Sequence, residues 1–190
     1  MPPAVLPLTG AVEGDLDEAV LRRVLEHAGL PLGVVHGRKG KQYLLQSMRG
    51  YNNVARFAPW MVLVDLDQDC ACAPTCRAQW LPNPSARMLF RIVVRAIEAW
   101  LLSDRARISD WLRVATAKVS GDPENLADPK QHLIGFVPRT GSGRAVGPLY
   151  TSTMIQFVED RTSGWRPEQA RSLSMSLSRC LQRLDQLGNG

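Results

Sequence analysis

The sequence predicts an α/β fold, in which a mainly parallel sheet of about four strands is flanked by helices and followed by a helical extension. Short apolar segments typical of buried strands alternate with segments whose apolar residues recur at helical spacing. The length of 190 residues, with 45% hydrophobic and 22% charged residues, is ordinary for one globular domain. We place the core at about residues 4–104 and the helical extension at about residues 105–187.

The order of the predicted elements is strand, helix, strand, helix, strand, helix, strand, and then mostly helix. The predicted strands are residues 4–12, 33–36, 61–64 and 87–94. The predicted helices are a long one closing at Gly29, a short one near Tyr43 to Met48, a short one within residues 70–84, and a last one from Pro167 to Leu187. A Gly- and Ser-containing segment, residues 140–144, is predicted to be a loop.

The third predicted strand ends in an unusual run of acids. From Trp60 the chain has five apolar residues, which pass directly into Asp65, Asp67 and Asp69. An apolar run of this length is typical of a strand buried on both faces, and ligands of open α/β sheets bind beyond the carboxyl ends of the strands. The alternative for each single Asp is a cap on the following turn.

Acidic residues follow three of the predicted strands. They are Glu13 after the first strand, Asp65 and Asp67 after the third, and Glu98 after the fourth. If the strands are parallel, these side chains reach the same sheet edge, where clustered carboxylates repel unless a cation or protons neutralise them. Carboxylate oxygens are ligands for Mg²⁺ or Mn²⁺, and a bound ion can activate water for phosphodiester hydrolysis.

Basic residues form separate groups, and the net charge of +5 mildly favours a polyanionic partner. The candidates for contacts with nucleic-acid phosphates are Lys39, Lys41, Arg91, Arg95, Lys130 and Arg144. For each of them, a solvated surface charge is the alternative.

Several short motifs occur in an order that resembles a known family. They are V-E-G, V-D-L-D, R-x-x-V-R-x-I-E-A-W-L-L, D-P-K and G-P-x-Y, spread from about residue 11 to residue 187. Together they resemble a family of small bacterial proteins similar to the TOPRIM (topoisomerase-primase) fold, related to nucleases of the overcoming-lysogenization-defect group.

The resemblance implies a compact sheet with helices on both sides and one or two Mg²⁺ ions. Carried over by motif, Glu13, Asp65 and Asp67 would be the metal ligands and catalytic acids, with Glu98 and then Asp69 as further candidates. It implies a nuclease that cleaves or nicks DNA or RNA in bacterial defence against phage. An ATPase partner and a homodimer are further expectations, and a non-catalytic subunit that binds metal or protein is the alternative.

Two alternatives to a metal-dependent nuclease, a zinc site and a phosphatase, are supported by weaker sequence patterns. Cys70, Cys72 and Cys76, with Cys180 or His132, could supply zinc ligands, although paired C-x-x-C knuckles are absent and the cysteines do not resemble a secreted disulfide framework. A haloacid-dehalogenase-like phosphatase also uses D-x-D, but on its first strand.

The sequence has no apolar run that approaches the roughly 20 residues of a membrane span, and its N-terminus lacks the pattern of a signal peptide. We therefore expect no membrane association and a cytoplasmic location.

Overall fold

The computed structural model describes residues 6–136 and 149–188. The four strands are β1 (Leu8–Val12), β2 (Leu32–Gly37), β3 (Trp60–Asp65) and β4 (Met88–Val93). They form one sheet in the order β2-β1-β3-β4, and every pairing is parallel. The predicted α/β class and the four-stranded sheet are therefore confirmed.

The helices cover both faces of this sheet. The α-helices are α1 (Asp15–His27), α2 (Lys41–Val54), α3 (Ala73–Trp80), α4 (Ile97–Ser103), α5 (Arg105–Leu112), α6 (Pro129–Ile134), α7 (Tyr150–Glu159), α8 (Pro167–Ala170) and α9 (Met175–Gly188). Two short 3₁₀ helices lie at Thr116–Lys118 and Pro123–Asn125. None of the helices in the described ranges is long and apolar enough to cross a bilayer.

Strand β3 shows why the central apolar run forms a buried strand. Successive side chains of a strand point to opposite faces. Met61 and Leu63 belong to the core cluster under α1, α4, α7 and α9, whereas Val62 and Val64 belong to a second cluster with residues of α2. Because both faces are covered, the strand is apolar at every position until its end at Asp65.

The last predicted helix, Pro167 to Leu187, is wrong in one respect. The structure divides it into α8 and α9, separated by residues 171–174. The Ser174 hydroxyl accepts a hydrogen bond from the Leu177 backbone N–H at 3.1 Å, so Ser174 caps the start of α9. Leu173 has the helical spacing of the apolar face that the continuous helix would have, but it lies in the break and is 38% exposed.

The connection from β2 to α2 is held against the end of β1. The backbone N–H of Arg38 donates to the Val12 carbonyl oxygen, and that of Gly40 donates to the Glu13 carbonyl oxygen, both at 2.9 Å. Gly37 has φ +93°, and a Cβ added there would clash with the Val12 carbonyl oxygen. This approach brings Lys41, the first residue of α2, to the carboxyl edge of the sheet.

Gly37→Ala should therefore lower the free energy of unfolding by about 2 to 3 kcal/mol, because it adds a left-handed φ penalty to a backbone clash. Gly50→Ala is the matched control, since Gly50 lies inside α2 with open space around it. That control should raise stability by about 0.5 to 1 kcal/mol. Urea unfolding of both variants measures the two effects, and equal stability of the two variants would contradict this description of the loop.

Candidate functional site

The carboxyl ends of β1 and β3 place two of the predicted acids side by side. Asp65 is the last residue of β3, and Glu13 directly follows β1. The Asp65 backbone N–H donates to Glu13 Oε1 at 2.7 Å. Glu13 therefore bridges the ends of two neighbouring strands and lies next to the Asp65 backbone.

A cavity of about 450 Å³ opens at this edge, between the starts of α1 and α4. Three predicted site acids, Asp65, Asp67 and Glu98, line it. Its other charged or hydroxyl-bearing lining residues are Asp15, Asp17, Arg95, Asp128, Lys130, Tyr150 and Thr151. Glu13 is connected to the cavity through Asp65, whereas Asp69 lies outside its lining.

Asp17 is a site residue that the sequence analysis missed. It lies in the first turn of α1 and is 8% exposed. Its Oδ1 atom and the Oδ1 atom of Asp65 are buried and have no hydrogen-bond partner within the described part of the chain. The signal was available, because a helix that starts at Asp15, right after β1, brings its first turn over the end of that strand.

The acids of the cavity strongly influence each other's ionisation. Burial raises the pKa of Asp65 well above its usual range, and the charges of Asp17, Glu13, Glu98 and Asp67 raise it further. Burial, with Glu13 and Glu98, raises the pKa of Asp17 to about 7. Burial also raises the pKa of Glu13, against the hydrogen bond from the Asp65 backbone. Without a cation, this cluster therefore retains protons near neutral pH.

Glu98 has a hydroxyl partner that the sequence did not predict. The Tyr150 phenol, at the start of α7, donates to Glu98 Oε1 at 2.5 Å, and the two residues are 7% and 5% exposed. Burial, followed by the Glu98 carboxylate, raises the pKa of Tyr150, so the phenol remains a donor. The Lys130 ammonium lies 5.1 Å from the centre of the Tyr150 ring. These contacts fix the orientation of Glu98.

Asp67 and Asp69 form a separate, more exposed half of the site. Asp67 has φ +48°, in the turn that follows β3. Lys41 Nζ donates to Asp67 Oδ2 at 2.6 Å and to Asp69 Oδ2 at 2.7 Å. Burial lowers the pKa of Lys41, but these two carboxylates outweigh it and the net shift is upward. Lys41 is thus protonated and already paired with two acids.

The predicted phosphate-binding residues divide among several places. Arg95 and Lys130 line the cavity, and the guanidinium of Arg95 donates to the Asp67 carbonyl oxygen at 3.0 Å. Lys39 is exposed, with its ammonium 5.0 Å from the centre of the Tyr43 ring. Arg91 lines a different groove, described below. Arg144 lies outside the described residues, as does the predicted loop that contains it.

The carboxylates suit a hard cation, although they do not yet surround one point. Across residues 6–136 and 149–188, no three His, Cys, Asp or Glu side chains already form a set that could hold one metal ion. Oxygens of Glu13, Asp67 and Glu98 accept hydrogen bonds from protein donors. The unpartnered oxygens of Asp17 and Asp65 fit Mg²⁺ or Mn²⁺ chemically, and binding with further carboxylates requires some of these hydrogen bonds to exchange.

The cysteines do not form the zinc site that was one alternative. Cys70 and Cys76 are joined by a disulfide bond, which the sequence analysis did not predict. Neither sulfur is then a thiolate, the form that binds zinc. Cys180 is a residue of α9 that is buried in the core, and His132 is a residue of α6 that lies against Phe136.

Comparisons with protein-family models, with curated proteins and with solved structures found no match for this chain. The TOPRIM-like identity therefore stays a prediction, carried by the sequence motifs.

Asp17→Asn should stabilise the metal-free protein at pH 8 by on the order of 4 kcal/mol. Because the pKa of Asp17 is raised, the folded state keeps this proton up to about pH 7. The unfolded chain, in which the pKa of Asp17 has its ordinary value of 3.8, has already released it near pH 4. The stability that this proton contributes is fully present below about pH 4 and is lost as the pH rises through 7. The side-chain amide of the variant does not ionise, so the variant does not lose this stability as the pH rises. Urea unfolding of both proteins at pH 4 and pH 8 measures the difference.

Asp15→Asn is the control for this comparison, because Asp15 is exposed on the same helical turn. It should change the free energy of unfolding by less than about 0.5 kcal/mol at either pH. A stabilisation by Asp17→Asn that is the same at both pH values would show that the Asp17 carboxyl does not titrate as described.

Proposed function

We propose that this protein is a divalent-cation-dependent nuclease that hydrolyses or nicks the phosphodiester backbone of DNA or RNA. The observation that carries the proposal is the pair of buried, unpartnered carboxylate oxygens of Asp17 and Asp65, which line an open cavity at the carboxyl edge of a parallel sheet. Buried carboxylates at such an edge are costly unless a cation or protons offset their charge.

Asp17, Asp65 and Glu98 are the residues that would hold the ion, because all three line the cavity and at least two have unpartnered oxygens. Asp67 at the same cavity and Glu13 beside the Asp65 backbone are additional acids, and the charges of both act on Asp65. When bound, Mg²⁺ supplies a Lewis acid for the phosphoryl oxygen and lowers the pKa of a coordinated water.

The charges around the cavity make substrate binding depend on the cation. Acidic residues outnumber the two basic residues, Arg95 and Lys130, that line it. An anionic phosphodiester would be repelled by this surface until a divalent ion compensates the carboxylates. Arg95 and Lys130, which line the same cavity, would then be the basic groups available to the substrate phosphates, and Tyr150 keeps Glu98 in place.

The biological setting in this proposal comes from the resemblance. That setting is bacterial defence in the cytoplasm. An ATPase would be the partner protein of this chain, and the chain itself would be a single copy or a homodimer. The Cys70–Cys76 disulfide bond argues against the cytoplasmic part, since disulfides are rare in that compartment.

Mg²⁺ at 10 mM should raise the melting temperature of the wild-type protein by about 3 °C at pH 8, as expected for a dissociation constant of about 1 mM. The double variant Asp17→Asn, Asp65→Asn should lose this shift, since both unpartnered carboxylates are gone. Asp110→Asn, an exposed acid of α5, should keep it. A full shift in the double variant would place the ion elsewhere.

Purified protein with Mg²⁺ or Mn²⁺ should convert supercoiled plasmid to open circles or cleave single-stranded RNA. Asp65→Asn should lower the rate on the order of a hundredfold, because it removes a ligand from the reacting centre, and Asp110→Asn should not. Equal activity in Asp65→Asn would indicate a contaminating nuclease. A Mg²⁺-dependent melting shift without cleavage of either substrate would support the non-catalytic metal-binding module instead.

A further inference from the structure

Strand β4 forms an open edge of the sheet. Within the described residues, only β3 pairs with it. The Trp60 N–H donates to the Arg87 carbonyl oxygen, and the Leu66 N–H donates to the Val93 carbonyl oxygen. Odd-numbered residues of β4 therefore direct their backbone groups toward β3. By the same alternation, the backbone N–H and C=O groups of Phe90 and Ile92 point away from β3. Phe90 is only 2% exposed, whereas Ile92 is half-buried, so the accessible backbone groups are those of Ile92.

A groove of about 260 Å³ runs along this edge. Its walls are the start of α3 on one side and the start of α9 on the other. The lining residues are Phe90, Arg91, Ile92 and Val94 from the edge, Ala73, Pro74 and Arg77 from α3, Met175, Ser176 and Arg179 from α9, and Glu124. The groove thus combines an unpaired strand edge, apolar side chains and three guanidinium groups.

The charge of the groove is positive. Arg77 and Arg179 are exposed on opposite walls, and Arg91 is half-buried with its Nε atom unpartnered among the described residues. The acid among the lining residues, Glu124, is already occupied, because its Oε1 accepts hydrogen bonds from the hydroxyl and the backbone N–H of Ser176. The three arginines therefore present a positive surface to whatever enters.

We propose that this groove binds an extended acidic segment of a partner protein, which adds to β4 as a further strand. In this mode the backbone N–H and C=O groups of Ile92 bond the peptide backbone, while Arg77, Arg91 and Arg179 pair with its carboxylates. The free edge is short. The Val94 N–H is taken by the Ser176 hydroxyl at 3.4 Å and the Met88 N–H by the Ser85 carbonyl oxygen at 2.9 Å.

Charge and hydrogen bonding select this occupant over two others. A second copy of the chain, paired through its own β4, would bring a matching set of arginines against this one, and like charges opposite each other destabilise a sheet. A nucleic-acid strand would pair with the arginines, but it does not offer the regular alternation of N–H and C=O groups that a strand edge bonds. The groove is separate from the acidic cavity, so this inference does not depend on the proposed nuclease activity.

Fluorescence anisotropy with the full-length protein tests the proposal. The ligand is a labelled eight-residue peptide that alternates glutamate and valine, and it should bind saturably with a dissociation constant on the order of 10 to 100 µM. Two control peptides should bind at least tenfold more weakly. One replaces glutamate by lysine, and the other carries N-methyl groups on alternate backbone nitrogens, which prevents ladder formation.

Two sets of variants separate charge from backbone pairing. Arg77→Glu with Arg179→Glu should weaken binding of the acidic peptide about tenfold, since both residues are exposed and their reversal leaves the core intact. Ile92→Pro removes an outward N–H without removing a bond to β3, whereas Ile92→Ala removes only the side chain. The proline variant should bind at least fivefold more weakly than the alanine variant, with circular dichroism confirming that both remain folded.

Several results would overturn the proposal. Equal binding of the N-methylated peptide would exclude strand addition, and equal binding of the lysine peptide would exclude the role of the arginines. Displacement of the peptide by a single-stranded oligonucleotide of similar length at lower concentration would assign the groove to nucleic acid. A dimer of the wild-type protein that Ile92→Pro converts to monomer would assign the edge to a second copy.

Discussion

The site depends on one constraint, which is that a carboxyl oxygen of Asp65 is buried at the end of a strand that is packed on both faces. Strand β3 lies between β1 and β4, and helices cover it above and below, so its first polar side chain appears at the carboxyl end. Burial there makes the charged form of Asp65 unfavourable, and the neighbouring acids increase this cost. The surroundings of Asp65 therefore stabilise its protonated form or a carboxylate that is paired with a cation.

Much of the fold could be predicted because burial leaves a direct mark on the sequence. The unbroken apolar run of β3 and the alternation of strands and helices indicate a parallel sheet, and the sheet is parallel. The break before α9 was not predictable from periodicity, because Leu177, Leu181 and Leu184 keep helical spacing on their own. The capping hydroxyl of Ser174, one serine among several nearby, decides where that helix begins.

The site was predicted less completely than the fold, and distance along the chain explains the difference. Asp65, Asp67 and Glu98 line one cavity because strand ends of a parallel sheet share an edge. Tyr150 reaches Glu98 from α7, 52 positions away in sequence, and no local pattern indicates that contact. Arg91 was grouped with the phosphate-binding residues, but alternation along β4 and the edge position of that strand place it in the other groove.

The two halves of the acidic site are neutralised in different ways, and this difference limits how a cation can enter. In the exposed half, the Lys41 ammonium lies between Asp67 and Asp69 and already supplies positive charge. In the buried half, Asp17 and Asp65 have free oxygens and no cationic partner of that kind among the hydrogen bonds of the described residues. A divalent ion gains most where negative charge is not already compensated by a cation. In the proposed metal site, the buried half is therefore where a first ion would bind, and a second ion beside Asp67 would have to displace Lys41.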